Sequence, residues 1–246
     1  MILFAPAKLT LSLKVKGLRQ DGLHLIEAEM VSLDLMDTLE IGKGDGLKIN
    51  EEYLNFNSVL PEKNFVPTGP DNLVSKSLKL LNREAFINIK KKIPPGSGLG
   101  GGSADAAAVL RWGSHSDLAS ASTIGADVAF CLKGGRAMVT GIGEKVSQLD
   151  YLEKTFTLLC PPLFCSTELV YQRWDELDGP KGDNGNDLEP AAIDLYPELK
   201  KWRDSLGDAT GESPRLAGSG SSWFVEGSYP SEGHLVVSTI PIQDAD

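Results

Sequence analysis

Five glycines fall within seven residues of the segment Pro94-Pro95-Gly96-Ser97-Gly98-Leu99-Gly100-Gly101-Gly102-Ser103-Ala104. The alanine-rich run Ser103–Trp112 follows at once. Glycines this close together let successive backbone N–H groups turn toward one point without Cβ clashes, making a concave anion nest. A helix starting with Ser103 as its N-cap adds free N–H donors and the positive end of a helix dipole. The combination suits a di- or triphosphate. A flexible linker has a similar composition, but a linker does not sit between a β-patterned run and a strong helix former.

Three known glycine-loop chemistries can be compared with this one. A Walker loop ends in Gly-Lys-Ser/Thr, whereas Gly102 is followed directly by Ser103. The dinucleotide pattern GxGxxG does match at Gly96, Gly98 and Gly101, but no strand ending in an acidic residue lies about 20 positions on. A dinucleotide oxidoreductase would bind NAD and hydrolyse no ATP. The His-Arg-Asp and Asp-Phe-Gly motifs of protein kinases are absent from the sequence.

The elements that must hold this loop can be read from periodicity. Residues 7–16 alternate apolar and polar (Leu9, Leu11, Leu13, Val15), which is a strand pattern. Arg19–Gly22 reads as a turn, with extended stretches expected at 28–35 and 38–41. Asp71 or Asn72 caps a helix carrying Leu73, Val74, Leu78 and Leu81, and Phe86–Ile93 forms a strand running into the glycines. After a change of texture near Tyr151–Glu153 come a strand at 155–160, a polar loop at 179–186, helical residues to Leu206, and a closing strand at 234–240. This mixed order predicts an α+β protein with a boundary near residue 150.

The formal charge is −10, yet residues 1–143 hold 16 basic and 15 acidic groups while residues 144–246 hold 8 and 19. An acidic total argues against a protein that coats nucleic acid. Lys76, Lys79, Arg83, Lys90, Lys91 and Lys92 run the other way, with only Glu84 among them. They form either a solvated helix face and strand end or a local positive field leading into the loop. The three cysteines form no CxxC pair and the three histidines are scattered, which argues against a disulfide framework or a zinc site. No apolar run reaches the roughly 18 residues of a membrane span, and Pro6 and Lys8 interrupt the start too early for a signal peptide. A cytoplasmic protein is expected.

Beyond the loop, six further segments stand in order: Ala5-Pro6-Ala7-Lys8, Asp21-Gly22-Leu23-His24, Asp71-Asn72-Leu73, Gly125-Ala126-Asp127-Val128, Asn186-Asp187-Leu188-Glu189-Pro190 and Leu216-Ala217-Gly218-Ser219-Gly220. With the loop they make the chain resemble, nearly end to end, the GHMP small-molecule kinases grouped with galactokinase, homoserine kinase and mevalonate kinase. Within that superfamily it is most similar to the 4-diphosphocytidyl-2-C-methyl-D-erythritol kinase family.

The resemblance implies a two-domain α+β fold. A ribosomal-protein-S5-like α/β domain would span 1–150, a ferredoxin-like α+β domain 151–246, and the active site would lie in the cleft between them. It implies ATP as donor with Mg2+, and as acceptor a CDP-linked methylerythritol phosphorylated on its 2-hydroxyl. Lys8 and Asp127, which alone read as surface charges, become the catalytic pair: the aspartate takes the hydroxyl proton and the lysine holds both the aspartate and the acceptor oxygen. Asn72, Leu73 and Lys91 would line the adenine side, Pro94 to Ala104 would hold the phosphates, and Ser103 would touch the metal or the β-phosphate. His24 would hydrogen-bond cytosine, with Thr167 as a polar contact and Tyr171 as an aromatic platform. Ser219 would belong to a loop closing over the phosphate site, although Gly218–Gly220 also reads as a tight turn.

Leu23 stands where the family often has tyrosine, Thr10 where asparagine is usual, and the segment between Trp112 and Asp127 is short. These departures bear on the acceptor rather than on the reaction type. Other expectations carried from the sequence are a monomer or weak homodimer and no nucleic-acid or membrane partner. The competing readings are a kinase of the same class for another alcohol, such as homoserine or mevalonate, and a nucleotide-binding regulator without catalysis.

Overall fold

The computed structural model describes residues 1–53 and 66–242. Two long antiparallel strands open the chain, β1 (Ile2–Leu18) and β2 (His24–Gly42), joined by the expected turn. The two extended stretches expected at 28–35 and 38–41 are one strand. Its apparent polar break at Asp37 is a fully buried carboxylate rather than a turn. The β1–β2 register shifts between Pro6 and Lys8 and again between Thr10 and Ser12. Such bulges re-aim side chains, and between them Lys8 and Thr10 are both buried.

A short strand that periodicity did not reveal, β3 (Gly46–Glu51), pairs parallel with β4 (Phe86–Lys91), and β4 pairs antiparallel with β2. Helix α1 (Leu73–Leu80) is capped by Asn72, whose side chain accepts from the Val74 amide at 2.8 Å. Helix α2 (Gly101–Trp112) packs against β1 and α1. Its Ala104 and Ala106–Ala108 are almost fully buried, and their small side chains permit that close approach. Two short helices follow, α3 (Leu118–Ile124) and α4 (Val128–Lys133), then β5 (Arg136–Gly141) beside β2 and β6 (Lys145–Gln148) beside β5.

The remainder comprises β7 (Thr155–Leu159), α5 (Thr167–Glu176), α6 (Glu189–Leu195), α7 (Glu198–Thr210), β8 (Arg215–Leu216), β9 (Trp223–Glu226) and β10 (His234–Ile240). The sheet order here is β10-β7-β9-β8. Strand β10 also pairs with β2, Thr239 opposite Leu33 and Ile240 opposite Ser32, so the ten strands among the described residues form one connected sheet. Trp223, Phe224 and Phe156 fill the core on the C-terminal side, and Phe130 is the largest fully buried side chain on the other. The molecule is an α+β protein, as its mixed element order predicted.

Candidate active site

Strand β4 delivers the chain to Pro94, and the glycine loop then folds over the buried face of β1. The Lys8 amide donates to the Leu99 carbonyl at 3.0 Å. Gly98 and Gly100 adopt φ of +76° and +70°, a left-handed conformation that favours glycine. Space demands glycine as well: a Cβ at Gly98 would lie 2.0 Å from the Ala217 carbonyl oxygen, and one at Gly100 2.8 Å from Lys8 Cγ. The second glycine segment is sewn to the first, since the Ser221 and Ser222 amides donate to the Gly96 and Ser97 carbonyls, each at 3.1 Å. Asn186, quoted above only as part of a motif, holds that second segment: its Nδ2 donates to the Leu216 and Gly218 carbonyls at 2.9 and 2.7 Å.

Ser103 is not the N-cap. The left-handed turn at Gly100 lets the chain enter α2 at Gly101, so the N-cap is Gly100, which offers no side-chain acceptor to the first N–H groups. Those donors are left for a ligand, and the Ser103 hydroxyl in the first turn is free of capping duty. It lies beside the Gly125 backbone, within 3.8 Å of where a Cβ there would stand.

The two glycine segments, β1 and α5 enclose a cleft of about 860 Å³. Every site residue named from sequence lines it except Leu99 and Ala104. Those two side chains are in the hydrophobic core, where they anchor the loop from behind. Asn72 lines the cleft with its amide already engaged, accepting from Val74 and donating to the Pro67 carbonyl at 2.7 Å. Leu73 beside it gives an apolar wall.

Lys91 has a role that its sequence context did not show. Its ammonium is buried between Asp37 and Asp105, 2.6 Å from Asp105 Oδ2. Asp37 Oδ1 also accepts from the Lys92 and Ile93 amides, at 2.5 and 2.9 Å. The three side chains therefore staple the entry of the glycine loop to the first turns of α2. Burial pushes the Asp105 carboxyl up to about 7, and the neighbouring Asp37 charge adds to this against the pull of Lys91. Burial opposes the Lys91 charge, but the two carboxylates outweigh it and hold the ammonium above its ordinary value. The basic run from Lys76 to Lys92 is accordingly no open positive field at its end. Lys90 pairs with Glu40 at 2.7 Å, Lys91 is internally neutralised, and Arg83 lies over the Trp112 ring. Asp37 and Asp105 gave no signal in the sequence, because their partner lies 54 and 14 residues away.

At the centre of the cleft Lys8 Nζ lies 3.3 Å from Asp127 Oδ2 and 3.1 Å from Thr10 Oγ1. The lysine side chain is only 6% exposed while the aspartate keeps 31%. Asp127 immediately precedes α4, yet its side chain does not cap that helix. The carboxylate is thus held by the ammonium and open to the cleft, an arrangement able to accept a proton from an alcohol.

Farther along the cleft, His24 at the start of β2 stacks on Tyr171 with centroids 4.6 Å apart and meets the Trp174 ring edge-on at 5.7 Å. Its Nε2 is 2.8 Å from Asp175 Oδ1. One face of the Tyr171 platform is therefore covered by His24, so a base cannot stack on that side. Burial, reinforced by the Asp127 charge, raises the Tyr171 hydroxyl above its ordinary value. Thr167 and Ser219 share a hydrogen bond of 2.8 Å, joining α5 to the second glycine segment. Leu23 sits half exposed on the rim. Trp174 and Asp175 escaped the sequence reading because a tryptophan and an aspartate on an amphipathic helix look like core and surface.

Residues 72–135, which include α1, the glycine loop, α2 and Asp127, match the GHMP kinases N terminal domain. The backbone resembles that of a homoserine kinase from Cytophaga hutchinsonii, with a TM-score of 0.61 at 19% identity, covering 100% of this chain and 96% of that one. This is a likeness of fold alone. Fold and cleft define the class: a small-molecule kinase of the GHMP type. A solved 4-(cytidine 5'-diphospho)-2C-methyl-D-erythritol kinase is more similar, with a TM-score of 0.72 and 28% identity over 97% of this chain and 98% of that one. In sequence the chain is 35% identical to the 4-diphosphocytidyl-2-C-methyl-D-erythritol kinase of Ruegeria pomeroyi, covering 96% of this chain and 91% of the relative. The enzyme of that name from Persephonella marina is 33% identical, with 94% and 93% covered. The chain belongs to the 4-diphosphocytidyl-2-C-methyl-D-erythritol kinase family.

Proposed function

We propose that this protein transfers the γ-phosphoryl group of ATP to the 2-hydroxyl of 4-diphosphocytidyl-2-C-methyl-D-erythritol, giving the 2-phosphate and ADP, a step of non-mevalonate isoprenoid precursor biosynthesis. The observation that carries the reading is the Lys8–Asp127 pair, 3.3 Å apart in a cleft walled by two glycine segments that are bonded to each other. Asp127 accepts the proton of the acceptor hydroxyl as the oxygen attacks. Lys8 pairs with that carboxylate at 3.3 Å and lies close enough to steady the developing alkoxide. The loop amides and the N-terminus of α2 bind and orient the phosphates, which matters because phosphoryl transfer depends chiefly on in-line positioning and charge neutralisation. Asn72, Leu73 and the Lys91 backbone flank the adenine, while His24, Tyr171, Thr167, Thr10 and Leu23 take the acceptor. Ser219 covers the phosphates.

Among the described residues no group of three His, Cys, Asp or Glu side chains could hold a metal ion. The hydroxyl of Ser103 suits Mg2+ arriving on a triphosphate, since that ion keeps water and phosphate oxygens as most of its ligands. Once bound there, Mg2+ would neutralise charge on the transferring phosphoryl group. No helix among the described residues is long and apolar enough to cross a membrane. The same reading assigns residues 1–150 to a nucleotide-binding and catalytic domain and 151–246 to a C-terminal domain. It places a monomer or weak homodimer in the cytoplasm, without nucleic-acid or membrane partners.

Asp127→Asn tests the mechanism. It should nearly abolish turnover, lowering kcat by at least about 10²-fold, while nucleotide affinity measured by calorimetry survives. A near-normal kcat would remove Asp127 from the role of base. ADP release measured with ATP and a panel of alcohols tests the acceptor: turnover with the CDP-linked compound alone supports the reading, and turnover with homoserine or mevalonate instead overturns it.

A further inference from the structure

We infer that Asn186 is a positioning residue for phosphoryl transfer: it turns the Gly218–Ser219 peptide so that the Ser219 N–H is a donor to the oxygens of the transferring group. The inference rests on the phosphoryl-transfer reading given above and deepens it.

Asn186 is buried, and both polar atoms of its amide are committed. Oδ1 accepts from the Leu188 amide at 3.0 Å, which fixes Nδ2 as the donor to the Leu216 and Gly218 carbonyls. A trans peptide is planar, with its N–H directed opposite to its C=O. The peptides after Leu216 and Gly218 are both trans. Drawing these two carbonyls toward Asn186 therefore turns the Ala217 and Ser219 N–H groups away from it. The first is used within the segment, donating to the Ser222 carbonyl at 2.9 Å. The Ser219 N–H meets no acceptor among the described residues, although Ser219 is only 7% exposed. A buried N–H without a partner is rare, and this one belongs to a residue that lines the cleft.

The segment stands beside the reacting groups. A Cβ at Gly218 would lie 3.2 Å from Lys8 Nζ and 3.8 Å from Thr10 Oγ1. The residues flanking Asn186 are bonded to the strand that carries Lys8. The Leu13 amide donates to the Gly185 carbonyl at 2.8 Å, and the Asp187 amide donates to the Leu13 carbonyl at 2.9 Å. Asp187 Oδ2 also accepts from the Val15 amide at 3.0 Å. Asn186 thus sets the Ser219 peptide from β1 itself, so Lys8 and the Ser219 N–H keep a fixed spacing. Thr167, 2.8 Å from Ser219 Oγ, holds the side chain but not the peptide. Donors fixed in this way before the reaction need no reorganisation when charge develops on the transferring group.

Asn186→Asp keeps the size of the side chain and the acceptor for the Leu188 amide, but sets a carboxylate against two carbonyls. With ATP and the CDP-linked acceptor, kcat should fall by at least about tenfold, part of the ~10²–10³-fold that one such donor supplies, while both KM values stay within about threefold. Burial among carbonyls raises that carboxyl, and its protonated form donates one hydrogen bond again. Activity relative to wild type should therefore recover by about threefold or more between about pH 8 and about pH 6. Asn186→Leu, with the same charged neighbours Asp187 and Glu189, should stay low throughout. Equal losses in the two variants at every pH would make Asn186 a packing residue and overturn the inference, as would a kcat near that of wild type in both. The wild type supplies a test that needs no variant to fold. Its Ser219 amide proton should move downfield when ADP, Mg2+ and aluminium fluoride bind together as a mimic of the transferring group, and an unmoved resonance overturns the inference. A wild type that turns over no CDP-linked acceptor overturns the proposed function, and this resonance then decides the inference alone.

Discussion

Lys8 is a long cation placed in the middle of an apolar strand, and its burial is the measure of its work. An ammonium only 6% exposed is costly to desolvate unless charged or polar partners surround it. Its partners are Asp127 and Thr10, with the Gly218 backbone close by: a Cβ there would stand 3.2 Å from Nζ. Its stem meanwhile packs under Gly100. Lys8→Met keeps that stem and deletes the charge. The expected result is a fall in kcat of about 10²–10³-fold, the usual loss when one preorganised donor to a developing oxyanion is removed, with thermal stability little changed. Steady-state kinetics and a melting curve check it, and a loss of less than tenfold would take Lys8 out of the chemistry. Neither Lys8 nor Asp127 could be chosen from residue type, because a lone lysine and a lone aspartate are everywhere. Only the order of surrounding motifs singled them out. Asp37, Asp105 and Asp175 had no such motif to mark them, and their partners became neighbours only through the fold.

At the scale of elements, the glycine loop and α2 form one device whose shape depends on close backbone approaches. Gly98 and Gly102 look alike in the sequence, yet the structure assigns them opposite tolerances. A methyl at Gly98 would overlap the Ala217 carbonyl oxygen at 2.0 Å, and the residue sits at φ +76°. At Gly102 the nearest neighbour would be Leu73 Cδ1 at 3.7 Å, ordinary contact, within helix α2. Gly98→Ala should cost about 3 kcal/mol or more, from left-handed strain plus overpacking. Gly102→Ala should leave stability unchanged or raise it by up to about 1 kcal/mol, from helix propensity. Urea unfolding of the two variants decides, and equal stabilities would mean that the two glycine segments are not packed as described. The loop's existence was legible because glycine spacing is a local signal. The start of α2 was misread at Ser103 because its N-cap preference competes with a left-handed glycine three residues earlier, and nothing in the sequence ranks the two. The Lys91 staple was invisible for a different reason: it links a strand end, a helix turn and another strand.

At the scale of the molecule, the closing strand was legible and its position was not. Alternation identified residues 234–240, but that β10 would lie between β7 and β2 follows from pairings some 80 and 200 residues apart. The charge asymmetry behaves similarly. It is plain in composition, but the basic run that promised a positive wall loses Lys90 to Glu40 and Lys91 to Asp37 and Asp105 at the end nearest the loop. Thr239 takes part in one of several contacts between the C-terminal residues and β2. Its hydroxyl accepts from the Lys154 amide at 2.9 Å and donates to the Leu152 carbonyl at 2.8 Å, while its backbone lies opposite Leu33 of β2. Tyr151 adds a bond from its hydroxyl to the Thr239 carbonyl at 3.1 Å. One residue thus fastens the segment entering β7 to the strand that continues onto β2. Because the two parts are also bonded through the glycine segments and through Leu13 with Gly185 and Asp187, they should unfold as one unit, with calorimetric and van't Hoff enthalpies equal. Thr239→Val keeps the shape and leaves the Lys154 amide and the Leu152 carbonyl without that partner, at a cost of about 1–3 kcal/mol. The variant should melt earlier in a single transition, with its acceptor KM and kcat little changed, because the bonds between the glycine segments are untouched. A variant as stable as wild type would show that the Thr239 hydroxyl contributes little, and a wild type that melts in two steps would show that the two parts are not one cooperative unit.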